Sequence, residues 1–251
     1  MVYTPIAIPF SKWMMTVSFM LFVICSLFVE MLFIVAAVIF MVVIGVTIRV
    51  AYVLQTIRTT RSTTPSMLHY ALPKKARVSV MAVLGSGGHT KEMLALLSQL
   101  VCEKFSPRSY VIANTDKFSH DKVVRLQEEL DDDQFVVMTV PRSREVNQSY
   151  ISSVFTTLLA AVRSLPLVIE RKPDVLLCNG PGTCVPICVW TFLLRVFGFY
   201  DMKIVFIESI CRVRTLSLSG KLLYFFADHF IVLWPDLREK YPYTSYIGRL
   251  F

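Results

Sequence analysis

No Cys-x-x-Cys pair occurs in this 251-residue sequence, and none of its four histidines stands at metal-ligand spacing from a cysteine. The common zinc patterns are thereby excluded. The six cysteines, Cys25, Cys102, Cys178, Cys184, Cys188 and Cys211, read as free thiols in a reducing compartment. Cys184 and Cys188, four apart in an apolar run, read as small hydrophobes on one helix face. No Gly-Lys-Ser/Thr follows the glycine-rich turn at residues 85–88, so no Walker P-loop is present. Thr90 stands where a dinucleotide fingerprint needs its third glycine. Despite a net charge of +8, no stripe of lysine and arginine interleaved with aromatics appears, which argues against a nucleic-acid partner. No Asp-x-Asp pair at a strand end points to a divalent metal, and no residue pattern calls for a cofactor. The N-terminus lacks the short apolar core and small-residue cleavage site of a signal peptide.

What the N-terminal part does contain is a long apolar run. From Trp13 to Ile48 the only charge is Glu30, and the mean hydropathy of the whole chain reaches +0.58. A bilayer core of about 30 Å needs roughly 20 helical residues. Residues 31–48 are 18 uncharged residues and make the best span. Met14 to Val29 is apolar too, but no Gly or Pro marks a turn between the two stretches. One long tilted span, or a span plus an interfacial segment, is therefore expected. Arg49, Arg58, Arg61, Lys74, Lys75 and Arg77 lie after the run, against Lys12 alone before it. The positive-inside rule then places the C-terminal part of the chain in the cytosol. The expected organisation is a membrane anchor over 1–58, a polar basic linker over 59–77 and one cytosolic domain over 78–251.

Beyond the linker, short β-rich runs alternate with helical stretches. Val78–Leu84, Tyr110–Ala113, Phe135–Val140, Val175–Cys178, Ile204–Ile207 and Phe230–Leu233 read as strands. Between them Thr90–Leu100, Lys117–Leu130, Tyr150–Arg171, Val185–Phe197 and Leu216–Phe226 read as helices. Continuous apolar strands separated by helices predict a Rossmann-like parallel sheet with helices on both faces. Ligands of such folds bind at the carboxyl ends of the strands.

Four strand ends carry candidate chemistry. The first ends in Gly85-Ser86-Gly87-Gly88-His89-Thr90, a turn whose N–H groups beside a helix start attract phosphate, or which is simply a tight turn. A helix start disfavours the imidazolium, which suits His89 to accept a proton; a structural histidine is the alternative. Thr90 is a plausible helix cap. The fourth strand ends in Asn179-Gly180-Pro181-Gly182-Thr183, a second anion-attracting helix start that could face the same crevice. After the third strand, Arg142 and Arg144 could clamp a diphosphate, face lipid headgroups or lie solvated. Glu208, at the end of the fifth, could accept sugar hydroxyls or pair with Arg212 or Arg214. The run Asp131–Asp133 reads as a solvated loop with no assigned role.

Taken together, GSGGHT, RSYVIANTD, PRSREV, KPDVLLCNGPGTCVPI, ESICRV and the final IGRLF resemble one family. It is the membrane-anchoring subunit of the two-subunit transferase that makes the chitobiosyl dolichol diphosphate of N-linked glycan assembly. The resemblance covers about residues 78–251. It implies the N-terminal, acceptor-binding half of a GT-B glycosyltransferase, preceded by a transmembrane helix. A soluble partner would supply the half that binds UDP-N-acetylglucosamine. A similar glycine turn ending in histidine occurs in the related single-chain bacterial transferase of peptidoglycan synthesis. The implied reaction adds a second, β1,4-linked N-acetylglucosamine to N-acetylglucosaminyl dolichol diphosphate at the cytosolic face of the endoplasmic reticulum. His89 would lie near the acceptor hydroxyl and Gly85, Ser86, Gly87 and Gly88 near phosphate; the Asn179–Thr183 turn and, from the loop after the third strand, Arg142 and Arg144 stay the further acceptor candidates. The family's C-terminal end, here Tyr246, Ile247, Gly248, Arg249, Leu250 and Phe251, would engage the partner.

The implied mechanism is an inverting displacement without metal, with His89 as base. Two rivals stand beside it. One is a non-catalytic scaffold that only recruits the partner. The other is a self-sufficient nucleotide-binding enzyme, disfavoured because a single domain of about 175 residues is too short for both halves.

Overall fold

A computed structural model of the chain describes residues 10–61, 75–143, 148–180 and 182–248. Arg144, Arg249, Leu250 and Phe251 lie outside the described residues. The chain divides into two compact units, Met1–Arg49 and Val50–Phe251.

The first unit consists, in its described part, of the greater length of helix α1 (Phe10–Arg61). No break separates Met14–Val29 from Met31–Ile48, as the missing Gly and Pro lead one to expect. Every residue from Trp13 to Arg49 is exposed, Glu30 among them. Two of its hydroxyls are satisfied within the helix: Thr16 donates to the Trp13 carbonyl at 2.8 Å and Thr47 to that of Val43 at 2.8 Å. An apolar helix closes its backbone hydrogen bonds within itself and can cross hydrocarbon, and α1 has the length and composition to do so.

The second unit holds a seven-stranded sheet in the order β3-β2-β1-β4-β5-β6-β7, every described pairing parallel. The strands are β1 (Val80–Val83), β2 (Arg108–Ala113), β3 (Phe135–Val140), β4 (Val175–Asn179), β5 (Lys203–Ile207), β6 (His229–Val232) and β7 (Ser245–Tyr246). The connecting helices are α2 (Gly88–Ser98), α3 (Lys117–Leu130), α4 (Tyr150–Arg171), α5 (Cys184–Val196), α6 (Leu218–Leu223) and α7 (Pro235–Lys240). Alternate strand residues feed two cores. Val80, Ala82, Tyr110 and Ile112 pack with Met93 and Leu97 of α2 and Val123 and Leu126 of α3. Met81, Val83, Val111 and Phe206 pack on the other face with Val168 of α4, Ile187 of α5 and Leu223 of α6. Cys178, Cys184 and Cys188 are wholly buried there as free thiols.

Three features depart from the sequence-based expectations. Residues 59–61 are helical rather than linker, and the end of α1 belongs to this second unit. Val53 and Ile57 are buried against Val196, with Phe192 and Phe226 alongside. Arg61 donates to the Tyr224 carbonyl at 2.6 Å and to that of Ala227 at 2.7 Å, satisfying backbone oxygens at the end of α6. Second, β7 and α7 are additions to the expected elements; two residues of strand and six of helix carry too short a period to be read. Third, the acidic run is not simply solvated. Asp131 closes α3 in a left-handed conformation at φ 52°, while Asp132 is buried. Asp132 accepts from the Gln134 amide at 3.1 Å and lies 3.8 Å from the buried Arg108. That guanidinium in turn donates to the carbonyls of Leu97 in the last turn of α2 and of Leu100 and Phe105 beyond it.

Ile57→Ala removes a fully buried side chain from the α1 contact and is expected to lower the stability of the second unit by about 2–5 kcal/mol, read by equilibrium denaturation in detergent; a change below about 1 kcal/mol would show that α1 is not packed into that unit.

Candidate active site at the β1/β4 crevice

The strand order reverses direction between β1 and β4, and a parallel sheet opens a ligand crevice at such a point, outside the carboxyl ends of its strands. Both glycine turns lie there. The first leads from β1 into α2, with Gly87 at φ 66° and the helix starting at Gly88. The second leads from β4 towards α5, with Gly180 at φ 62°. These left-handed values favour residues without a Cβ. At Gly180 there is a second reason. A Cβ built there would stand 2.5 Å from Cε1 and 2.9 Å from Nδ1 of His89, so the glycine leaves room for the imidazole.

His89 is thus held at the junction of the two turns. Its Nδ1 lies 2.9 Å from Oδ1 of Asn179, the last residue of β4. The Asn179 amide is oriented from its other end, because Nδ2 donates to Glu92 Oε2 at 2.8 Å. The second Glu92 oxygen accepts from the Ser209 hydroxyl at 3.0 Å. A carboxylate accepts only, so Asn179 must turn its NH2 to Glu92 and its oxygen to His89. Nδ1 of His89 therefore carries the hydrogen, and in the neutral ring Nε2 keeps its lone pair. The order of charge and hydrogen bonds runs from Ser209 through Glu92 and Asn179 to the imidazole. Asn179 is 1% exposed and holds the ring from within, while the His89 side chain is 35% exposed. His89 also lines a cavity of about 420 Å³ with Glu92, Gly180, Ser209, Cys211 and Arg212.

The other predicted residues take different stations. Gly85 is buried, whereas Ser86, Gly87 and Gly88 are exposed. Arg142 reaches this turn and donates to the Ser86 hydroxyl at 2.7 Å, which brings a cation beside the start of α2. Thr90 is no cap: Gly87 holds that position, and Thr90 is fully buried with its hydroxyl on the Gly85 carbonyl and 2.7 Å from that of Ser119. It shapes the turn from inside. Gly182 is exposed, and Thr183 is buried at the start of α5 without a side-chain capping bond. Glu208 pairs with neither Arg212 nor Arg214 among the described ion pairs. It is wholly buried, accepting from the amides of Ser209 at 3.2 Å and Ser217 at 2.9 Å and from the Ser217 hydroxyl at 3.1 Å. Burial pushes its pKa up, while those donors and the nearby Arg212 pull it down. With its oxygens so engaged, Glu208 organises the β5 loop. Tyr246 closes β7, and the exposed Ile247 and the half-buried Gly248 come directly after it. They belong to the far edge of the sheet, at the end of a line from β1 that passes β4, β5 and β6.

Sequence reasoning does not assign Glu92 or Ser209 to the site. Glu92 is legible in principle, since residues three apart on a helix share a face and His89 is the third residue before it. Ser209 depends on β5 lying beside β4, which spacing does not reveal. A second cavity of about 420 Å³, lined by Ser79, Arg108, Gln134 and Arg171 among others, opens at the amino ends of the strands and includes Asp133 of the acidic run. Among the described residues no cluster of His, Cys, Asp and Glu has the arrangement of a metal site.

The family described as "Oligosaccharide biosynthesis protein Alg14 like" matches residues 80–250. A human protein, "UDP-N-acetylglucosamine transferase subunit ALG14", is 51% identical over 180 residues, 69% of this chain and 83% of the human one. The protein of the same name in Yarrowia lipolytica is 43% identical over 180 residues, 71% of this chain and 83% of its own length. Among solved structures, MurG of Acinetobacter baumannii is 17% identical with a TM-score of 0.45, covering 63% of this chain and 42% of MurG. A putative UDP-N-acetylglucosamine 2-epimerase of Listeria monocytogenes is 14% identical with a TM-score of 0.48, covering 67% of this chain and 42% of the other.

The network makes a direct prediction. Nitrogen-15 NMR of neutral His89 should show the proton on Nδ1. Gly180→Ala should displace the ring and abolish that preference, at a cost to stability of about 1–2 kcal/mol from its left-handed backbone. A native ring protonated on Nε2 would contradict the network as drawn.

Proposed function

The chain belongs to the family of Alg14-like oligosaccharide biosynthesis proteins, and from that premise we propose that it is the membrane-anchored, acceptor-binding subunit of a heteromeric UDP-N-acetylglucosamine transferase. The name of its relatives, a transferase subunit, supports a partner that supplies the donor half of a GT-B enzyme. The reaction would add a second N-acetylglucosamine, in β1,4 linkage, to N-acetylglucosaminyl dolichol diphosphate. Residues 1–58 would anchor the chain in the endoplasmic reticulum membrane, 59–77 would join anchor to domain, and 78–251 would work in the cytosol.

The observation that carries the proposal is the Nδ1–H of His89 held on Asn179, which leaves Nε2 as the proton acceptor beside two helix starts. In the proposed step the acceptor's sugar hydroxyl attacks the anomeric carbon of the donor. Its proton passes to His89 Nε2, the new C–O bond forms with inversion, and the bond to UDP breaks with the electron pair leaving on UDP. The imidazolium so formed lies 3.8 Å from Glu92, whose charge stabilises it. The acceptor's diphosphate would lie along Gly85 to Gly88, where the exposed amides of the turn, the start of α2 and Arg142 offer donors and positive charge. Gly180, Gly182 and Thr183 would frame the opposite wall, and Arg144 would extend the cationic side. Confining this domain to the plane that holds a lipid-linked substrate shortens the search for it. The C-terminal residues 246–251 would contact the partner. Metal and cofactor have no part in the proposed step.

The test is transferase activity on a short-chain N-acetylglucosaminyl diphosphate lipid with UDP-N-acetylglucosamine, measured with and without the soluble partner. Turnover only with both chains is expected, and activity of this chain alone would overturn the divided-site reading. His89→Ala should reduce kcat about 10²–10⁴-fold with assembly intact. Near-normal turnover in that variant would favour the scaffold alternative.

A further inference from the structure

The cavity beside His89 has a cation on its wall that the site described above does not use. Arg212 lines it with His89, Glu92, Gly180, Ser209 and Ser217, and is exposed. Its guanidinium takes part in none of the described ion pairs or side-chain hydrogen bonds. Glu208 lies in the same cavity, but its oxygens are taken by the amides of Ser209 and Ser217 and by the Ser217 hydroxyl, and Arg212 acts on it as a charge through space. The backbone plants Arg212 where it stands. Its amide donates to the Ser209 carbonyl at 2.9 Å, closing a tight turn directly after β5. The Trp234 indole donates to the Ile210 carbonyl at 2.7 Å, and the Ser209 hydroxyl ties the same turn to Glu92. The arginine is thus mounted on the network that holds the imidazole.

Arg142 and Arg212 approach His89 from opposite sides. The sheet order β3-β2-β1-β4-β5 puts the imidazole, at the ends of β1 and β4, in the middle. Arg142 follows β3 and reaches Ser86 from that side. Arg212 follows β5 and shares a cavity with His89 but with neither Ser86 nor Arg142. The proposed reaction asks for two cations so placed. Displacement with inversion sets the attacking oxygen, the anomeric carbon and the leaving oxygen in one line. The acceptor's diphosphate hangs from the far end of the sugar whose hydroxyl attacks, and UDP departs beyond the anomeric carbon. Two diphosphates have to be held on opposite sides of the proton acceptor, and Arg142 with the first glycine turn accounts for one of them.

We propose that Arg212 is a catalytic residue that this subunit contributes to the donor side of the reaction, its guanidinium meeting the diphosphate of UDP. The contact strengthens as the bond from the anomeric carbon breaks and the electron pair collects on the β-phosphate oxygen. Arginine suits the task, because its charge is permanent and its planar fork matches two phosphate oxygens at once. A cation fixed before the chemistry costs no reorganisation when negative charge develops. Its exposed station at the crevice is open to a nucleotide carried by another chain. The inference rests on the divided-site transferase reading and goes beyond it: the partner's donor site is incomplete without Arg212, so turnover needs both chains for a chemical reason as well as for acceptor binding.

The test uses the full chain assembled with its soluble partner, and steady-state kinetics with UDP-N-acetylglucosamine and a short-chain N-acetylglucosaminyl diphosphate lipid. Arg212→Met is expected to lower kcat about 10²-fold and to weaken competitive inhibition by UDP about tenfold, with the KM for the lipid unchanged. Arg212→Lys keeps the charge without the fork and should fall between this variant and the wild type. Arg214→Met removes an exposed arginine of the same loop that does not line the cavity, and should behave as the wild type. A raised KM for the lipid with UDP inhibition unchanged would assign Arg212 to the acceptor's diphosphate and overturn the inference. Unaltered kinetics of Arg212→Met would overturn it too. Co-purification with the partner checks assembly; should Arg212→Met fail that check, kcat and UDP inhibition of Arg212→Lys decide by the same criteria. Failure of the divided-site reading shows instead in the wild type, as turnover by this chain alone, and would remove the inference with it.

Discussion

The hydrogen bond from His89 to Asn179 is the contact on which the site depends. It joins the turn after β1 to the end of β4, two segments separated by 90 residues in sequence and adjacent only because the sheet reverses its order between them. Four constraints meet there. Gly180 supplies the space for the ring, Asn179 sets which nitrogen carries the hydrogen, Glu92 sets which way Asn179 faces, and Ser209 steadies Glu92. A low-dielectric setting strengthens each link and makes a broken one costly, so such a chain of bonds holds one geometry firmly. The positive ends of α2 and α5 then make the same crevice attractive to anions.

The distribution of apolar side chains points to a second constraint. Globular proteins place their large hydrophobic groups inward, and the strands here obey that rule on both faces of the sheet. α1 departs from it along residues 13–48, and α4 departs from it along its outer stripe. Within the globular unit, the Val53, Ile57 and Arg61 contacts bind the end of α1 to α5 and α6.

Much of the fold is legible in the sequence because its strands are mostly apolar and most of its helices are long. Phe135–Val140, Lys117–Leu130 and Tyr150–Arg171 can be delimited to the residue, since each begins and ends with a change of periodicity. β7 and α7 escape because two- and six-residue elements carry almost no periodic signal. The two glycine turns and His89 are visible as punctuation at strand ends, and the structure brings them together. Buried polar roles are not visible. Asp132 looks like part of a solvated acidic run, Thr90 like a cap and Glu208 like a carboxylate for sugar hydroxyls or for Arg212 or Arg214. Each is in fact consumed by backbone amides, hydroxyls or a buried guanidinium whose position only the tertiary fold determines. The outer stripe of α4 has a similar lesson. Its amphipathic pattern locates a helix, but pattern alone does not say which face meets the sheet.

The role of His89 rests on where the reacting hydroxyl lies. The decisive measurement is an experimental structure of this chain with its soluble partner and a non-transferable N-acetylglucosaminyl diphosphate lipid. The acceptor's sugar hydroxyl is expected within hydrogen-bond reach of His89 Nε2, about 2.6–3.2 Å, with the diphosphate against residues 85–88. A hydroxyl placed beyond reach of His89 and held by a carboxylate of the partner would contradict that role.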